Sequence, residues 1–333
     1  MTKKKVIRRT AAASRFLTGV LFLFVLGGLW AEDETTSGIT SGRNLVLSIS
    51  TLPELKLAFN QNWVFPFLQG EGALTAGNNI KLNLSAEVTP ISLNGIAEAT
   101  WTPIAFLQVV AGTKLGTGWN IELGDFLLYG IGINTPGPLN SDGIPERTMD
   151  GTPFGGLTYN FHLGSAFQID MAAFVPGDWN HIVFRTYHEG TYMGFSEADA
   201  DDSWVYEDDF SQRRNGFTYY GNFLLGYQMP IFLNTVGLLA EVNQNLYTTS
   251  GRDVWGDDLG QWLFSALFNF TITPKISAAL IVQTKTFRNY TDSTSKIGDR
   301  EKKTFYQNRV LDTDNPLRLE FYRVAAVATF TLP

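Results

Sequence analysis

Residues 80–89 read Ile-Lys-Leu-Asn-Leu-Ser-Ala-Glu-Val-Thr, and their alternation decides the fold class. In an extended chain, successive side chains point to opposite faces. Ile80, Leu82, Leu84, Ala86 and Val88 therefore share one face, and Lys81, Asn83, Ser85, Glu87 and Thr89 the other. A helix would scatter both sets around its circumference. The segment is a strand with one greasy side and one wet side.

The pattern recurs downstream. Phe167, Ile169, Met171, Ala173 and Val175 oppose Gln168 and Asp170, and Val236, Leu238, Ala240 and Val242 oppose Glu241, Asn243 and Asn245. Trp262, Phe264, Ala266, Phe268, Phe270 and Ile272 oppose Gln261, Ser265, Asn269 and Thr271, and Tyr219, Phe223, Leu225 and Tyr227 form another aromatic row. Two architectures accept such rows: a soluble sandwich, whose sheets cover one another, and a membrane barrel with lipid outside and a polar lumen inside. Length separates them, because a tilted membrane strand needs roughly 9 to 11 residues where soluble strands average about 5 or 6. The expected fold is all-β, an antiparallel transmembrane barrel.

The first 31 residues differ in kind. Lys3, Lys4, Lys5, Arg8, Arg9 and Arg15 precede an apolar run from Phe16 to Leu29, then Trp30-Ala31 and the acidic Glu32-Asp33-Glu34. That order reads as a secretory signal peptide with cleavage expected after Ala31, the alternative being an uncleaved anchor. The run falls short of the roughly 20 apolar residues a spanning helix needs. After Ala31 no apolar stretch approaches that length. Residues 32–333 are expected to form the barrel, with no second domain required.

Removing the leader takes six basic and no acidic residues, leaving 19 Lys plus Arg against 32 Asp plus Glu, a balance of −13. Such a chain repels phosphate backbones, which argues against nucleic-acid binding. Cysteine is absent, so there is neither a disulfide framework nor a lipid-modified N-terminal cysteine.

Thr135 to Pro153, His188 to Asn215, Thr248 to Gly260 and Phe287 to Pro316 are rich in Gly, Asp, Ser and Thr without sustained alternation, and read as long outer loops. About 25 residues per strand and connection over the 302 residues after Ala31 gives roughly 12 strands, with 10 to 14 accommodated. A Thr-Pro motif recurs at Thr89-Pro90, Thr102-Pro103 and Thr273-Pro274, and proline suits the mouth of a strand. The first two copies lie 13 residues apart, so either one strand separates them or Asn94-Gly95 turns a small hairpin between them.

At the C-terminus Tyr322, Val324, Ala326, Ala328, Phe330 and Leu332 alternate with Arg323, Thr329 and Thr331, as a closing strand would. Here the chain resembles the bacterial outer-membrane β-barrel family, whose last strand carries an alternating apolar signal for the assembly machinery. The family pattern ends in an aromatic residue, whereas Phe330 is followed by Thr331-Leu332-Pro333, a variation similar to spirochaete (treponeme) members. The resemblance implies outer-membrane lipids and the barrel-assembly machinery as partners and says nothing of a substrate.

His162, His181 and His188 are the only imidazoles, and none sits in a catalytic motif. His188-Glu189, beside Asp199, Asp201 and Asp202, is faintly similar to the arrangement of surface barrel proteases, but a solvated loop accounts for it. The acidic run Glu197, Asp199, Asp201, Asp202, Glu207, Asp208 and Asp209 lacks the spacing and turn glycine of a calcium loop. Gly112-Thr113-Lys114-Leu115-Gly116-Thr117-Gly118-Trp119 is superficially like a phosphate loop, yet its Lys is misplaced and no helix follows; it reads as a glycine-rich strand end or tight loop. Trp63, Trp101, Trp119 and Trp262 suit the membrane interfaces, where an indole buries its ring and still hydrogen-bonds. No enzyme activity, cofactor or dedicated metal site is expected.

Two functions remain open. Lys81, Glu87, Gln168, Asp170, Glu241 and Asn243 are expected to line the lumen of a narrow or gated pore for small solutes. Alternatively, the loop from His188 to Asn215 contacts an extracellular or envelope partner, with Trp204, Tyr206 and Phe210 as its anchors.

Overall fold

The computed structural model describes residues 38–52, 54–123, 126–139, 145–199, 202–207, 213–247, 256, 258–289, 304–305 and 311–333; the expected signal segment and Phe210 lie outside them. In chain order the strands are β1 (Thr40–Ser50), β2 (Leu55–Pro66), β3 (Asn79–Thr89), β4 (Ser92–Ile104), β5 (Leu107–Gly118), β6 (Ile121–Leu123), β7 (Phe126–Leu128), β8 (Ile131–Leu139) and β9 (Pro145–Asp150). There follow β10 (Thr158–Asp170), β11 (His181–Phe195), β12 (Ser203–Tyr206), β13 (Gly216–Gln228), β14 (Leu233–Asn245), β15 (Gln261–Thr273), β16 (Ile276–Arg288), β17 (Thr304–Phe305) and β18 (Leu317–Leu332).

Twelve of these close into one antiparallel barrel in the order β1-β18-β16-β15-β14-β13-β11-β10-β5-β4-β3-β2. Chain neighbours pair throughout, and β1 meets β18 from Arg43 opposite Leu332 to Ser50 opposite Ala325. Closure leaves no unpaired edge, so every backbone group of the wall can be satisfied without water. The barrel strands run 11 to 16 residues, long enough to cross a hydrocarbon layer at a tilt.

Parity assigns the faces. Leu47, Leu57, Phe59, Leu82, Leu84, Phe161, Leu163, Ile182, Phe184, Phe223, Leu225, Leu238, Phe264 and Leu280 are exposed around the outside. Among the described residues no second sheet covers them, which removes the sandwich. Trp63 and Trp101 stand near one end of this belt, and Trp262, stacked on Phe264 with centroids 6.0 Å apart, near the other. Inside, Val46, Ala58, Leu224, Leu239, Ala279, Ile281, Ala325 and Val327 form an apolar lining from β13 round to β2.

The two ends of the barrel differ. The start of β1, the end of β18 and the connections 67–78, 105–106, 171–180, 229–232 and 274–275 lie at one end. At the other end the long connections leave β5, β11, β14 and β16 and enter β10, β13, β15 and β18, and the short turns after β1 and β3 are made there too. The Thr-Pro copies cap opposite ends of β4, which settles their spacing as one strand, with Asn94 and Gly95 inside it. At two copies the threonine hydroxyl accepts the amide two residues on: Ile91 N donates to Thr89 Oγ1 at 3.2 Å, and Lys275 N to Thr273 Oγ1 at 3.2 Å. Proline between them has no amide to lose.

Four expectations need correction. β11 continues to Phe195, so the loop expected from His188 begins only at Ser196. The segment from Thr135 to Pro153 includes paired strand: β8 and β9 join β12 and β17 in a four-stranded sheet of order β12-β8-β9-β17. The row from Phe167 to Val175 is cut at Asp170, whose carboxylate accepts from Ala172 N at 3.0 Å and starts a 3-10 turn at Met171–Ala173. Tyr322 leaves the outward row of β18, because the register slips between Gln283 and Thr284; it is buried with Leu52 and Leu263 while Phe321 takes the exposed side. A bulge inserts one residue and so inverts the side-chain phase beyond it.

Candidate functional site

The lumen wall carries charged side chains on β2 to β5, on β10, β11 and β14, and on β16 and β18, where Lys285 and Arg323 are buried. Glu87 on β3 accepts from Lys56 on β2 at 2.9 Å and faces Lys114 on β5 at 3.6 Å. His162 on β10 lies 3.5 Å from Glu98 on β4, and Lys81 faces the same carboxylate. On β11 Tyr187 Oη and Thr191 Oγ1 each donate to Glu189 at 2.6 Å. Glu241 on β14 is fully buried and accepts from Tyr220 Oη at 2.6 Å. Buried charges are sustained where partners replace the lost water, and these groups supply one another with partners.

Into the mouth at the long-loop end folds a second layer. Trp204, Val205 and Tyr206 on β12 are 1–2 % exposed, and Trp204 and Tyr206 pack with Ile131, Met193 and Phe195. Trp204 pairs with Arg213 as an antiparallel bridge, and its indole Nε1 donates to Asn215 Oδ1 at 2.9 Å. Tyr206 Oη donates to Asn94 Oδ1 at 2.7 Å, and Glu207 N to Gly130 O at 2.9 Å. Glu207 Oε1 accepts from Ser92 Oγ at 2.8 Å and from Asn94 Nδ2 at 2.9 Å, while Oε2 lies 3.9 Å from Lys114 Nζ. Burial, and then the Glu207 carboxylate, hold the Tyr206 hydroxyl well above the usual tyrosine range, so it stays a donor. We refer to this infolded segment as the plug.

The plug fits because β5 is bare beneath it. Gly112, Gly116 and Gly118 share the inward face with Lys114, and a Cβ on Gly116 would strike Tyr206 Oη and Asn94 Oδ1. Gly118 and Gly130 meet backbone to backbone, where neither tolerates a side chain. The glycine-rich segment is thus a strand, and its alternate glycines make the groove.

Between plug and wall lies a cavity of about 140 Å³, lined by groups that include Glu98, Lys114, His162, Arg185, Trp204, Tyr206 and Asn243. It presents both signs of charge together with amides and aromatic edges.

The six residues expected in the lumen lie on inward faces of their strands, in three settings. Glu87 belongs to the cluster beneath the plug; Asn243 lines the cavity, and Lys81 and Glu241 face Glu98 and Tyr220, which line it too. Gln168 and Asp170 sit at the short-turn end, where Asp170 Oδ2 pairs with His181 Nδ1 at 2.7 Å. Trp204 and Tyr206, expected as exposed anchors, are instead interior, because Tyr206 hydrogen-bonds Asn94 of the wall and the Trp204 ring packs on Phe195 of β11. β11 sends His188 outward, where Nδ1 lies 2.7 Å from Tyr219 Oη, and Glu189 inward, so the two never share a site. Of the acidic run, Glu207 is drawn inside; Asp201, Asp208 and Asp209 lie outside the described residues. Among the described residues no three acidic or histidine side chains converge to hold a metal. Sequence reasoning missed Ser92, Asn94 and Lys114, wall residues that meet the plug, and Lys56, which pairs with Glu87. Their signal was the inward alternation of Gly112, Lys114, Gly116 and Gly118.

No protein-family model matches the chain, and no curated protein matches it. Among solved structures, CdiB from Acinetobacter baumannii aligns over 88% of this chain and 60% of its own length, at 10% identity and a TM-score of 0.34. OmpT, an outer membrane protein of Vibrio cholerae, aligns over 88% of this chain and 97% of its own, at 6% identity and a TM-score of 0.30. An anion-selective porin from Comamonas acidovorans aligns over 89% of this chain and 99% of its own, at 8% identity and a TM-score of 0.25. Likeness this distant carries nothing about solute or partner.

Proposed function

We propose that this chain is an outer-membrane barrel that acts as a narrow pore for small polar solutes, constricted by its own plug. The belt of exposed aliphatic and aromatic side chains supports the membrane setting, since water-facing surfaces rarely hold so continuous an apolar patch. In this reading the long-loop end faces outward and the end where β1 starts and β18 finishes faces the periplasm. The assembly machinery inserts the barrel, and lipid acyl chains cover the belt.

One observation carries the pore reading: polar side chains of the wall and of the plug line a common interior cavity. Eight strands enclose an interior that wall side chains fill, whereas barrels of 16 or more leave an aqueous channel. Twelve strands fall between, and here the plug takes up part of the surplus width. The apolar lining from β13 to β2 narrows the path further, since greasy constrictions resist wetting. The reading assigns the barrel no reaction chemistry.

Planar-bilayer recording with refolded protein tests it. We expect small discrete current steps, enlarged in a Tyr206→Ala/Glu207→Ala variant that frees the plug. Silence from both proteins, together with no solute uptake by proteoliposomes, would remove the pore.

A further inference from the structure

We infer that Ser92, Asn94 and Lys114 form a carboxylate-binding cradle in the lumen wall, that the plug's own Glu207 occupies it, and that a small monocarboxylate solute takes its place when the plug leaves. The passage of that solute rests on the pore reading; the cradle itself does not.

The geometry is that of a built anion site. Two neutral donors, Ser92 Oγ and Asn94 Nδ2, converge on one oxygen of Glu207, and the Lys114 ammonium stands beside the other. Ser92 and Asn94 are all but fully buried. The arrangement therefore cannot be dismissed as surface side chains meeting by chance. A carboxylate accepting from aligned neutral donors next to a cation is the arrangement in which charge-assisted hydrogen bonds are strongest.

Charge counting shows what the cradle lacks without Glu207. On the wall Lys56 and Lys114 flank the single carboxylate of Glu87, leaving one positive charge in excess. Glu207 makes the cluster neutral. Once the plug leaves, the Asn94 amide and that excess charge lose their acceptor while Ser92 Oγ keeps Thr89 Oγ1 at 2.7 Å, and a monoanion supplies what is lost. Glu87, within 3.6 Å of the same ammonium, opposes a second negative charge. The cradle thus favours a monocarboxylate over a dianion. Lys114 and Tyr206 also border the interior cavity, so a solute lodged there lies next to the cradle.

The chain has no cysteine, so a Val205→Cys reporter reads plug position directly. Val205 is 1% exposed, and maleimide should label Cys at this position slowly in refolded protein. We expect at least tenfold faster labelling when Glu207→Gln is added. Sodium acetate should also accelerate labelling of the Val205→Cys protein, well beyond an equal concentration of sodium chloride that matches its screening. If the Glu207→Gln variant lacks the heat-modifiable gel migration of a folded barrel, Asn94→Ala in the Val205→Cys background gives the same readout. Unchanged labelling in these variants, or equal effects of acetate and chloride, overturns the proposal. Labelling requires no current: a silent barrel that labels as expected refutes the pore and keeps the cradle, and a conducting barrel with unchanged labelling does the reverse.

Discussion

Tyr206 and Asn94, 112 residues apart in sequence, are joined by a hydrogen bond of 2.7 Å from the tyrosine hydroxyl to the amide oxygen, and the amide nitrogen of the same asparagine binds Glu207. Consecutive residues of a strand point to opposite sides. Tyr206 and Glu207 nevertheless reach one side chain, because Glu207 leaves the strand with φ of 57°, a left-handed conformation uncommon for residues other than glycine. Asn94→Ala should strip a partner from two buried groups, at about 1–3 kcal/mol each. Asn94→Asp should loosen the plug more, since it sets a second carboxylate against Glu207. Rates of proteolysis within residues 196–215 give the order, wild type slowest and Asp fastest; equal rates for all three would disprove the shared-amide latch.

Gly116 supplies the space for that latch. Adding a single methyl there, Gly116→Ala, forces the new Cβ against Tyr206 and Asn94. Over-packing of this kind costs about 1–3 kcal/mol. The barrel should still form, because β5 keeps its pairing with β4 and β10. Tryptophan emission should shift to longer wavelength as Trp204 gains solvent, with heat-modifiable migration unchanged. The same methyl at Gly95, whose Cβ meets nothing within 4 Å, serves as control.

Lys56, Glu87, Lys114 and Glu207 hold two charges of each sign in one buried cluster. Glu87→Gln leaves an uncompensated ammonium, a loss of about 3–5 kcal/mol where a buried pair is broken on one side. The double variant Lys56→Met/Glu87→Gln restores balance between Lys114 and Glu207. It should therefore melt above the single variant in detergent, although it carries one more substitution. A double variant no more stable than Glu87→Gln alone would mean that the charges act independently.

How much of this was legible in the sequence depends on what covers each face. β3 and β15 were read directly from their alternation, since one face of each is the exposed outside of the barrel and the other its interior. The last part of β11 was not. There Met193 and Phe195 point inward and are apolar because the plug packs on them, while Gly190 and Gly194 point outward, so the usual polarity is inverted. β12, four residues buried throughout, has no alternation to find. The plug was visible only indirectly, in glycines spaced two apart around Lys114. A bulge at Tyr322 escaped for a different reason: the local sequence carries no marker of it, and only the pairing with β16 shows the slip.

Arg323 closes the barrel at its seam. It is fully buried on β18, where Nε donates to Gln283 Oε1 on β16 at 2.5 Å and Nη1 donates to Glu54 in the turn between β1 and β2. Gln283 passes the chain on to Ser265 of β15 at 2.9 Å. One side chain thus ties the last strand to both of its flanks, and the planar guanidinium fork is what reaches two partners at once. Arg323→Met should lower the urea midpoint by the equivalent of about 1–3 kcal/mol, since Glu54 and Gln283 lose their guanidinium donor while Ser50 and Lys285 still serve the Glu54 carboxylate. Arg323→Lys, which keeps the charge but not the fork, should fall between. The damage should be local: amide exchange should quicken at the β1–β18 pairing, around Leu47 and Ala328, and remain slow at Leu224 and Leu239 on β13 and β14. Uniform acceleration around the wall would show that Arg323 supports the whole barrel rather than its seam.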